Sequence, residues 1–178
     1  LSQIDSGRGR QPWQEVDLAR LVREQAERQR PIADGRSQEV SVSAAAPVPV
    51  QGSAIQLQQV VRNLLDNAIK YTPPGGKIRC TCEVRSGAGD SPVSPPDAAA
   101  PPLRAWAVIE ITDTGIGVPA DAIPLLFERF YRVDDATTEG SGLGLAIVQE
   151  IAAQHGAMAS LRPNAFGRGA VARVVFAT

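Results

Sequence analysis

The sequence predicts an α/β fold, a two-layer sandwich in which a mixed β-sheet packs on helices. Residues 53–72 have the apolar spacing of a strongly amphipathic helix. Alternating apolar runs, which indicate strands, lie on both sides of that helix. Because helices and strands are interleaved and the strands are largely connected as hairpins, a mixed sheet is favoured.

Length and composition indicate one globular domain. The chain has 178 residues, of which 43% are hydrophobic, enough for a substantial core. It carries 18 Lys and Arg against 19 Asp and Glu, a formal net charge of −1. Nucleic-acid arms and polybasic membrane patches need a clear excess of positive charge. We therefore expect no nucleic-acid partner and no direct membrane contact, and no run approaches the roughly 18 apolar residues of a membrane span.

The scarce histidine and cysteine residues limit the possible chemistry. His155 is the only histidine, which excludes a histidine-rich metal site. Cys80 and Cys82 lie two apart on a predicted strand, so they share a face and do not suit an unstrained disulfide. A metal half-site is the alternative, but no nearby ligands complete it. We expect buried, reduced thiols, which fits a cytoplasmic location.

The first part of the chain is predicted to contain one helix and two short strands. Residues 1–15 are polar and interrupted by glycine. Asp17 can cap a helix with an apolar face, and Pro31 is expected to end it. The alternating runs at 39–43 and 47–50 are predicted to be strands paired with each other.

The central helix has the clearest start and stop signals. Ser53 and Gln56 form an S-x-x-Q capping box, in which the cap contributes about 1 kcal/mol. The run Thr72–Gly76 contains two prolines and two glycines and ends the helix. Apolar residues alternate from Ile78 to Val84 and predict a strand with one buried face.

The last part of the chain begins with residues 86–102, which are rich in Pro and Ala and predict a long loop. A strand follows from Ala105 to Ile111, and Asp113 continues its inward-facing phase. Beyond it we expect a short helical stretch, a polar loop, a glycine-opened helix that Gly156 terminates, and a closing hairpin.

Four polar residues form a strip on the central helix: Asn63, Asn67, Lys70 and Tyr71. Asparagine is a poor helix former, so a pair at i and i+4 needs an explanation. An isolated pair of this kind is most often a solvated flank. The functional alternative is that amide oxygens complete the shell of a Mg²⁺ ion held by nucleotide phosphates, while Lys70 adds positive charge.

The segment from Asp113 to Gly117 is a second candidate. Turns after strands often carry Asp and Gly, so the pattern alone is weak. The strand phase, however, brings the carboxylate to the mouth of an apolar pocket, and Gly115 and Gly117 let the backbone approach a flat ring. Such a carboxylate suits an exocyclic amine such as that of adenine.

A third candidate is the glycine-rich run from Gly140 to Leu145, directly before an apolar helix. Backbone N–H groups and the helix dipole favour an anion there, whereas a flexible hinge is the alternative. The pattern is neither a dinucleotide-binding fingerprint nor a P-loop. Upstream, we expect Phe127 and Phe130 to be apolar anchors. Arg129 and Arg132 could reach a phosphate or be plain surface charge.

Together these constellations resemble the ATP-binding catalytic domain of sensor histidine kinases, in the wider family of gyrase B, the Hsp90 chaperones and MutL. The resemblance covers residues 17–178 and implies a Bergerat-type ATP-binding fold. Its four motifs are QQVVRNLLDNAIKYTPPGG (N box), DTGIGVP (first glycine box), LFERFYR (F box) and GSGLGLAIV (second glycine box).

The resemblance implies a role for each motif residue. ATP and Mg²⁺ are the implied cofactors, with Asn67 binding the metal and Asn63 supporting it. The other implied positions are Lys70 and Arg132 at the phosphates, Tyr71 beside ribose and adenine, Asp113 on adenine with Gly115 and Gly117, and Gly140, Gly142, Leu143 and Gly144 at the base of an ATP lid spanning 134–141.

The resemblance also implies how the chain is organised. Residues 1–15 resemble the end of a dimerisation helix and linker, and 16–178 the catalytic domain. His155 matches the end of the last long helix rather than a phosphoacceptor. The sequence departs from the family pattern at Ser53, where an acidic residue is common, and at Ala170, where threonine is common.

Three functions are consistent with these motifs. The first transfers the γ-phosphoryl of ATP to a histidine on a separate dimerisation and phosphoacceptor domain, for passage to a response regulator; this implies a cytoplasmic domain of an inner-membrane sensor. The second is a conformational ATPase, which uses a glutamate where this chain has Asn63. The third is a nucleotide-gated binding module or a serine-directed kinase. An amide is no general base, so the first is favoured.

Overall fold

The structure is a computed structural model that describes residues 13–86, 105–131, 142–165 and 167–177. Strands and helices alternate along the chain, as the sequence predicts. The elements are β1 (Gln14–Asp17), α1 (Leu18–Gly35), β2 (Glu39–Ser43), β3 (Pro49–Gly52), α2 (Ala54–Tyr71), β4 (Lys77–Ser86), β5 (Ala105–Asp113), α3 (Gly144–Gln154), β6 (Ala157–Pro163) and β7 (Ala170–Ala177).

Five of these strands form one mixed sheet in the order β2-β4-β5-β7-β6. Strands β2 and β4 run parallel, and the other neighbours are antiparallel. The closing hairpin of β6 and β7 is present as predicted. The α/β class with a mixed sheet is therefore confirmed.

The core lies between one face of this sheet and the helices. From α2, Leu57 and Leu65 are buried, and they belong to the same apolar cluster as Ile109 and Ile111 of β5. Burying a side chain of this size contributes about 1.5–3 kcal/mol. The predicted two-layer arrangement follows from this packing. None of the helices in the described ranges is long and apolar enough to cross a membrane.

Helix α1 does not end at Pro31, contrary to the prediction, and continues to Gly35. Proline removes one helical hydrogen bond, at a cost of about 3 kcal/mol. Gln29 and Ala33, two positions before and after the proline, are buried, so packing of this face holds the helix through the proline. The helix then closes with Ser37 in a left-handed conformation at φ 55°.

The predicted pairing of the first strands is wrong. β2 pairs with β4, whereas β3 pairs with β1 in a separate antiparallel ribbon, with Val16 opposite Val50. The sequence suggested no strand at Gln14–Asp17, and β1 crosses the predicted domain boundary at residue 16. The physical reason is that Asp17 caps α1 and also accepts a hydrogen bond from the Val48 N–H at 2.9 Å, which brings β3 beside β1.

Two further expectations are met only in part. Ser53 caps α2 by accepting from the Gln56 N–H at 3.5 Å, but the Gln56 side chain donates to Gln154 instead of completing the box. The expected helical stretch after Asp113 is a short 3₁₀ turn, Ile123–Leu125. Most of the predicted 86–102 loop lies outside the described residues.

Candidate functional site

A cavity of about 350 Å³ opens between α2, the ends of β5 and β7, and the start of α3. Its volume falls within the range of small-molecule sites. Many of the residues singled out from the sequence line it, although they come from three separate parts of the chain. They are Asn63, Asn67, Lys70, Tyr71, Asp113, Gly117, Gly142 and Gly144.

The wall formed by α2 carries the predicted polar strip. Asn63 is buried, and its Nδ2 donates to the carbonyl oxygen of Gly144 at 3.2 Å, so this side chain joins α2 to the start of α3. Asn67 lies beside the same glycine and lines the cavity. The Nζ of Lys70 lies 4.9 Å from the ring centroid of Tyr71. The strip thus offers neutral amides and one positive charge, and Asp66 of the same helix adds a carboxylate to the cavity.

A second part of the cavity wall is organised by Asp113, a buried carboxylate. Its Oδ1 accepts hydrogen bonds from the N–H of Gly115 at 2.8 Å and of Ala170 at 3.2 Å. Both donors use the same oxygen, and within the described residues no hydrogen bond reaches Oδ2. Burial raises the pKa of Asp113, while the two N–H groups act to lower it. One oxygen is fixed by the fold, and the other is available to a ligand.

The loop after Asp113 needs glycine at a close approach of two backbones. A Cβ on Gly115 would collide with the carbonyl oxygen of Tyr71. The same oxygen accepts a hydrogen bond from the Ile116 N–H at 3.2 Å. Gly169, just before β7, has a φ of +110°, and a Cβ there would collide with the Asp113 carbonyl oxygen. These contacts fasten the loop to the end of α2 and to β7.

A third part of the cavity wall is formed by the start of α3. Gly142 has a φ of +68°, and its carbonyl accepts from the Phe130 N–H at 3.1 Å. The helix begins at Gly144 without a side-chain cap on its first N–H groups. Such a terminus favours an anion, and Lys70 lines the same cavity.

The other predicted site residues either do not line the cavity or lie outside the described residues. Gly115 and Leu143 shape the adjacent backbone and do not line the cavity. Arg132, Gly140 and the lid at 134–141 lie outside the described residues.

In the F box one expectation is wrong, and for Arg129 the surface-charge alternative agrees with the structure. Phe130 is not an apolar anchor, since it is 72% exposed at a φ of +67°. Arg129 pairs with Glu150 of α3 at 3.0 Å. Its charge is therefore engaged on the surface of that helix.

Several apolar lining residues were not singled out from the sequence. Ile111 shares the phase of Asp113, so the strand pattern could have identified it. Leu161 and Ala172 come from the closing hairpin, and only the pairing of β5, β7 and β6 brings them to the cavity. Asp66 also lines the cavity; burial raises its pKa, while Arg62 and a hydrogen bond from Gln29 oppose the shift.

Comparison with known proteins defines the class. Residues 52–178 match the family described as "Histidine kinase-, DNA gyrase B-, and HSP90-like ATPase". The chain therefore belongs to this ATPase family.

The relatives point to one branch of that family. The phosphate regulon sensor protein PhoR of Pseudomonas aeruginosa is 36% identical over 132 residues, which is 70% of this chain and 25% of PhoR. The sensor-like histidine kinase SenX3 of Mycolicibacterium smegmatis is 34% identical over 143 residues, which is 79% of this chain and 33% of SenX3. The chain thus spans a quarter to a third of these sensor histidine kinases.

Solved structures agree with this assignment. The mycobacterial sensor histidine kinase MprB aligns with a TM-score of 0.68 at 31% identity, covering 92% of this chain and 96% of that one. Full-length ShkA in complex with AMPPNP aligns with a TM-score of 0.71 at 29% identity, covering 94% and 32%. The catalytic domain of ThkA, at 22% identity and a TM-score of 0.70, shares the fold.

Proposed function

We propose that this chain is the catalytic domain of a sensor histidine kinase, which binds ATP with Mg²⁺ and transfers the γ-phosphoryl to a histidine on a separate dimerisation domain. The observation that carries the proposal is the set of polar groups that meet in one apolar-walled cavity. A carboxylate with one free oxygen lines it together with Lys70, Asn67 and the uncapped start of α3. This arrangement suits a base amine and a polyphosphate.

The donor set fits the proposed cofactors. Oδ2 of Asp113 would accept from the exocyclic amine of adenine. Lys70 and the N–H groups of α3 would bind phosphate oxygens, with Arg132, Gly140 and Gly142 contributing as the family resemblance implies. Asn67 would supply a hard, neutral oxygen to Mg²⁺, which neutralises charge on the β- and γ-phosphates.

Transfer to another group is favoured over hydrolysis by the chemistry of Asn63. This amide lies one helical turn before Asn67 and cannot accept a proton from water. Its Nδ2 is also engaged with Gly144 at 3.2 Å. Asp66, the neighbouring carboxylate, is hydrogen-bonded to Gln29 of α1. Positioning and electrostatics, rather than a general base, would therefore act on the phosphoryl group.

The acceptor must lie outside this chain. His155 is the only histidine of the sequence, and it does not line the cavity. Its Nδ1 lies 2.8 Å from the Ile151 carbonyl oxygen, and its Nε2 accepts from the Ser53 N–H at 3.1 Å. Because both ring nitrogens are engaged with backbone, neither is free to attack phosphorus.

The proposed partners are the dimerisation and phosphoacceptor domain of the same kinase and, through it, a response regulator. Exposed apolar side chains follow Asp113 along the chain: Ile116 is 56% and Phe130 72% exposed. They could contact such a helical partner. The part of the predicted segment 1–15 that precedes β1 would include the end of the dimerisation helix and the linker, and the domain would work on the cytoplasmic side of a membrane sensor.

The test mixes the chain with a phosphoacceptor domain and ATP labelled at the γ-phosphate. Acid-labile label should appear on a histidine of that domain, and Asn67→Ala should abolish it. Arg20→Ala, which alters an exposed ion pair with Glu24 on α1, is a matched control that should keep full transfer. Rapid release of phosphate without any acceptor domain would instead favour the conformational ATPase.

A further inference from the structure

The last turn of α2 carries Lys70 and Tyr71, and its carbonyl groups are satisfied by the segment that follows α1. A helix end leaves its final carbonyls without intrahelical partners. Here the side chain of Gln38 donates through Nε2 to the Ile69 oxygen at 2.9 Å and also to the Thr72 oxygen. Segment 36–38 therefore caps the end of α2 from outside the helix.

A second donor comes from the same segment. The Nη2 of Arg36 donates to the Lys70 carbonyl oxygen at 3.4 Å. The next carbonyl, that of Tyr71, accepts from the Ile116 N–H on the loop after Asp113. Successive carbonyls of the turn are thus held by groups distant in sequence, and the turn cannot rotate without breaking these bonds.

Gln38 is well anchored for this task. Its side chain is buried, with 4% exposure, and its Nε2 faces two carbonyl oxygens at the helix end, while its Oε1 has no hydrogen-bond partner within the described residues. Its own N–H donates to Ala33 at the end of α1, at 2.9 Å. On the other side, Ser37 accepts from the Gly75 N–H at 2.7 Å, and the Glu39 N–H donates to Gly76 at 3.0 Å.

We propose that Gln38 is a positioning residue for the nucleotide site: it fixes the last turn of α2 so that Lys70 is already placed for the phosphates. The inference rests on the proposed binding of ATP in the cavity. A fixed turn removes the cost of ordering Lys70 when the triphosphate binds. The turn also carries Tyr71, which the resemblance puts beside ribose and adenine, so a smaller loss of nucleoside affinity is expected too. The part that acts through Lys70 is the additional loss of affinity for ATP over that for adenosine.

The experiment compares the affinities for ATP and adenosine in Gln38→Met. This variant keeps the length of the side chain but removes both N–H donors. We expect the dissociation constant for ATP to rise about tenfold and that for adenosine to rise less than about threefold. The reason is that the carbonyl oxygens of Ile69 and Thr72, on either side of Lys70 in the sequence, lose their side-chain donor. Equal losses for both ligands would overturn the proposal.

A double-mutant cycle separates positioning from a general effect on stability. In a Lys70→Met background, Gln38→Met should change the affinity for ATP by less than about twofold, because residues that act together are not additive. The matched control is Ser53→Ala, which removes the cap at the other end of the same helix. It should lower stability without changing the ratio of the two affinities.

The outcomes distinguish this inference from the proposed function. Failure of the unaltered protein to bind ATP would overturn both. Normal binding of ATP, with an undiminished effect of Gln38→Met in the Lys70→Met background, would overturn only the role of Gln38. If Gln38→Met does not fold, Arg36→Lys provides a related test from an exposed position, because it keeps the positive charge but removes the guanidinium that donates to the Lys70 carbonyl; the expected rise for ATP is smaller, about twofold to threefold.

Discussion

The imidazole Nε2 of His155 accepts a hydrogen bond from the backbone N–H of Ser53 at 3.1 Å. A backbone N–H can only donate, so this contact requires a neutral ring with its proton on Nδ1, which then donates to Ile151 at 2.8 Å. The bond joins the end of α3 to the start of α2. The Trp13 ring stacks on the imidazole with centroids 5.0 Å apart.

Removal of this imidazole should destabilise the domain. His155→Ala leaves the Ser53 N–H without its acceptor and empties the space beside Gly52, so we expect a loss of about 2 kcal/mol in the free energy of unfolding, measured in urea. Trp13→Ala removes only the stacking contact and should cost less, about 1 kcal/mol. Equal losses would mean that the hydrogen bonds of the ring contribute nothing.

Asp113→Asn should separate stability from ligand binding. The amide oxygen can still accept from Gly115 and Ala170, and the buried charge disappears. We therefore expect an increase in stability at pH 7 of up to about 1 kcal/mol. Binding of ATP should be lost, because an NH₂ group replaces the accepting Oδ2. Unfolding in urea and calorimetric titration with ATP measure the two effects, and tight binding by the variant would contradict the role of Asp113.

The pH dependence of that difference has a definite sign. Burial raises the pKa of Asp113 above its ordinary 3.8, so the folded state holds this proton more tightly than the unfolded state. The wild type therefore loses stability as the pH rises from 3.8 through the raised pKa. Asp113→Asn lacks this loss. Its advantage should grow across that interval and stay constant above it, as unfolding at several pH values would show.

Gly115→Ala should abolish binding of the nucleotide. A Cβ there meets the Tyr71 carbonyl oxygen, so the loop must move away from α2. The matched control is Gly35→Ala at the end of α1, where nothing lies within 4 Å of the added carbon. The control should gain about 0.5–1 kcal/mol in stability and keep its affinity for ATP. An unimpaired Gly115→Ala variant would show that the close approach is not required.

Ser37→Gly should stabilise the domain. Ser37 has a φ of 55°, in the left-handed region where a Cβ is unfavourable. Glycine at this position after α1 should add about 0.5–1 kcal/mol to the free energy of unfolding. Ser37→Ala keeps a Cβ and should add nothing, so a gain by both variants would refute the conformational explanation.

The two cysteines should be unreactive in the folded protein. Both are free and buried on β4, and burial raises the pKa of each thiol to about 12. At pH 8 almost no thiolate forms, and a thiol reagent should label neither residue. In denaturing urea both should react. Fast labelling of the folded chain would indicate that β4 opens from its neighbours.

The sequence predicted best where a periodic pattern coincided with burial. The spacing along α2 identified Asn63, Asn67, Lys70 and Tyr71 as one strip, and the phase of β5 brought Asp113 inward. In each case the local pattern determines which way a side chain faces. Two walls of the cavity, α2 and the end of β5, could therefore be predicted from local patterns.

The pairing of strands distant in sequence could not be predicted from local patterns. No local pattern in the sequence indicates that β3 pairs with β1 rather than with β2. The pairing depends on the two hydrogen bonds that Asp17 accepts, from Ala19 and from Val48. Pro31 remains helical because buried neighbours outweigh its local preference. Leu161 and Ala172 reach the cavity only through the order of the sheet. These features depend on tertiary packing, which no short stretch of sequence encodes.

The stacking of Trp13 on His155 makes this tryptophan a fluorescence probe for movement of β1. The chain holds two tryptophans: Trp13 is 55% exposed beside the imidazole, whereas Trp106 is 6% exposed in the sheet. Because β1 is paired with β3, a pivot between this domain and whatever precedes it cannot lie within residues 14–17. In a Trp106→Phe background, the fluorescence of Trp13 would report optically whether the first strand stays attached while nucleotide binds and leaves.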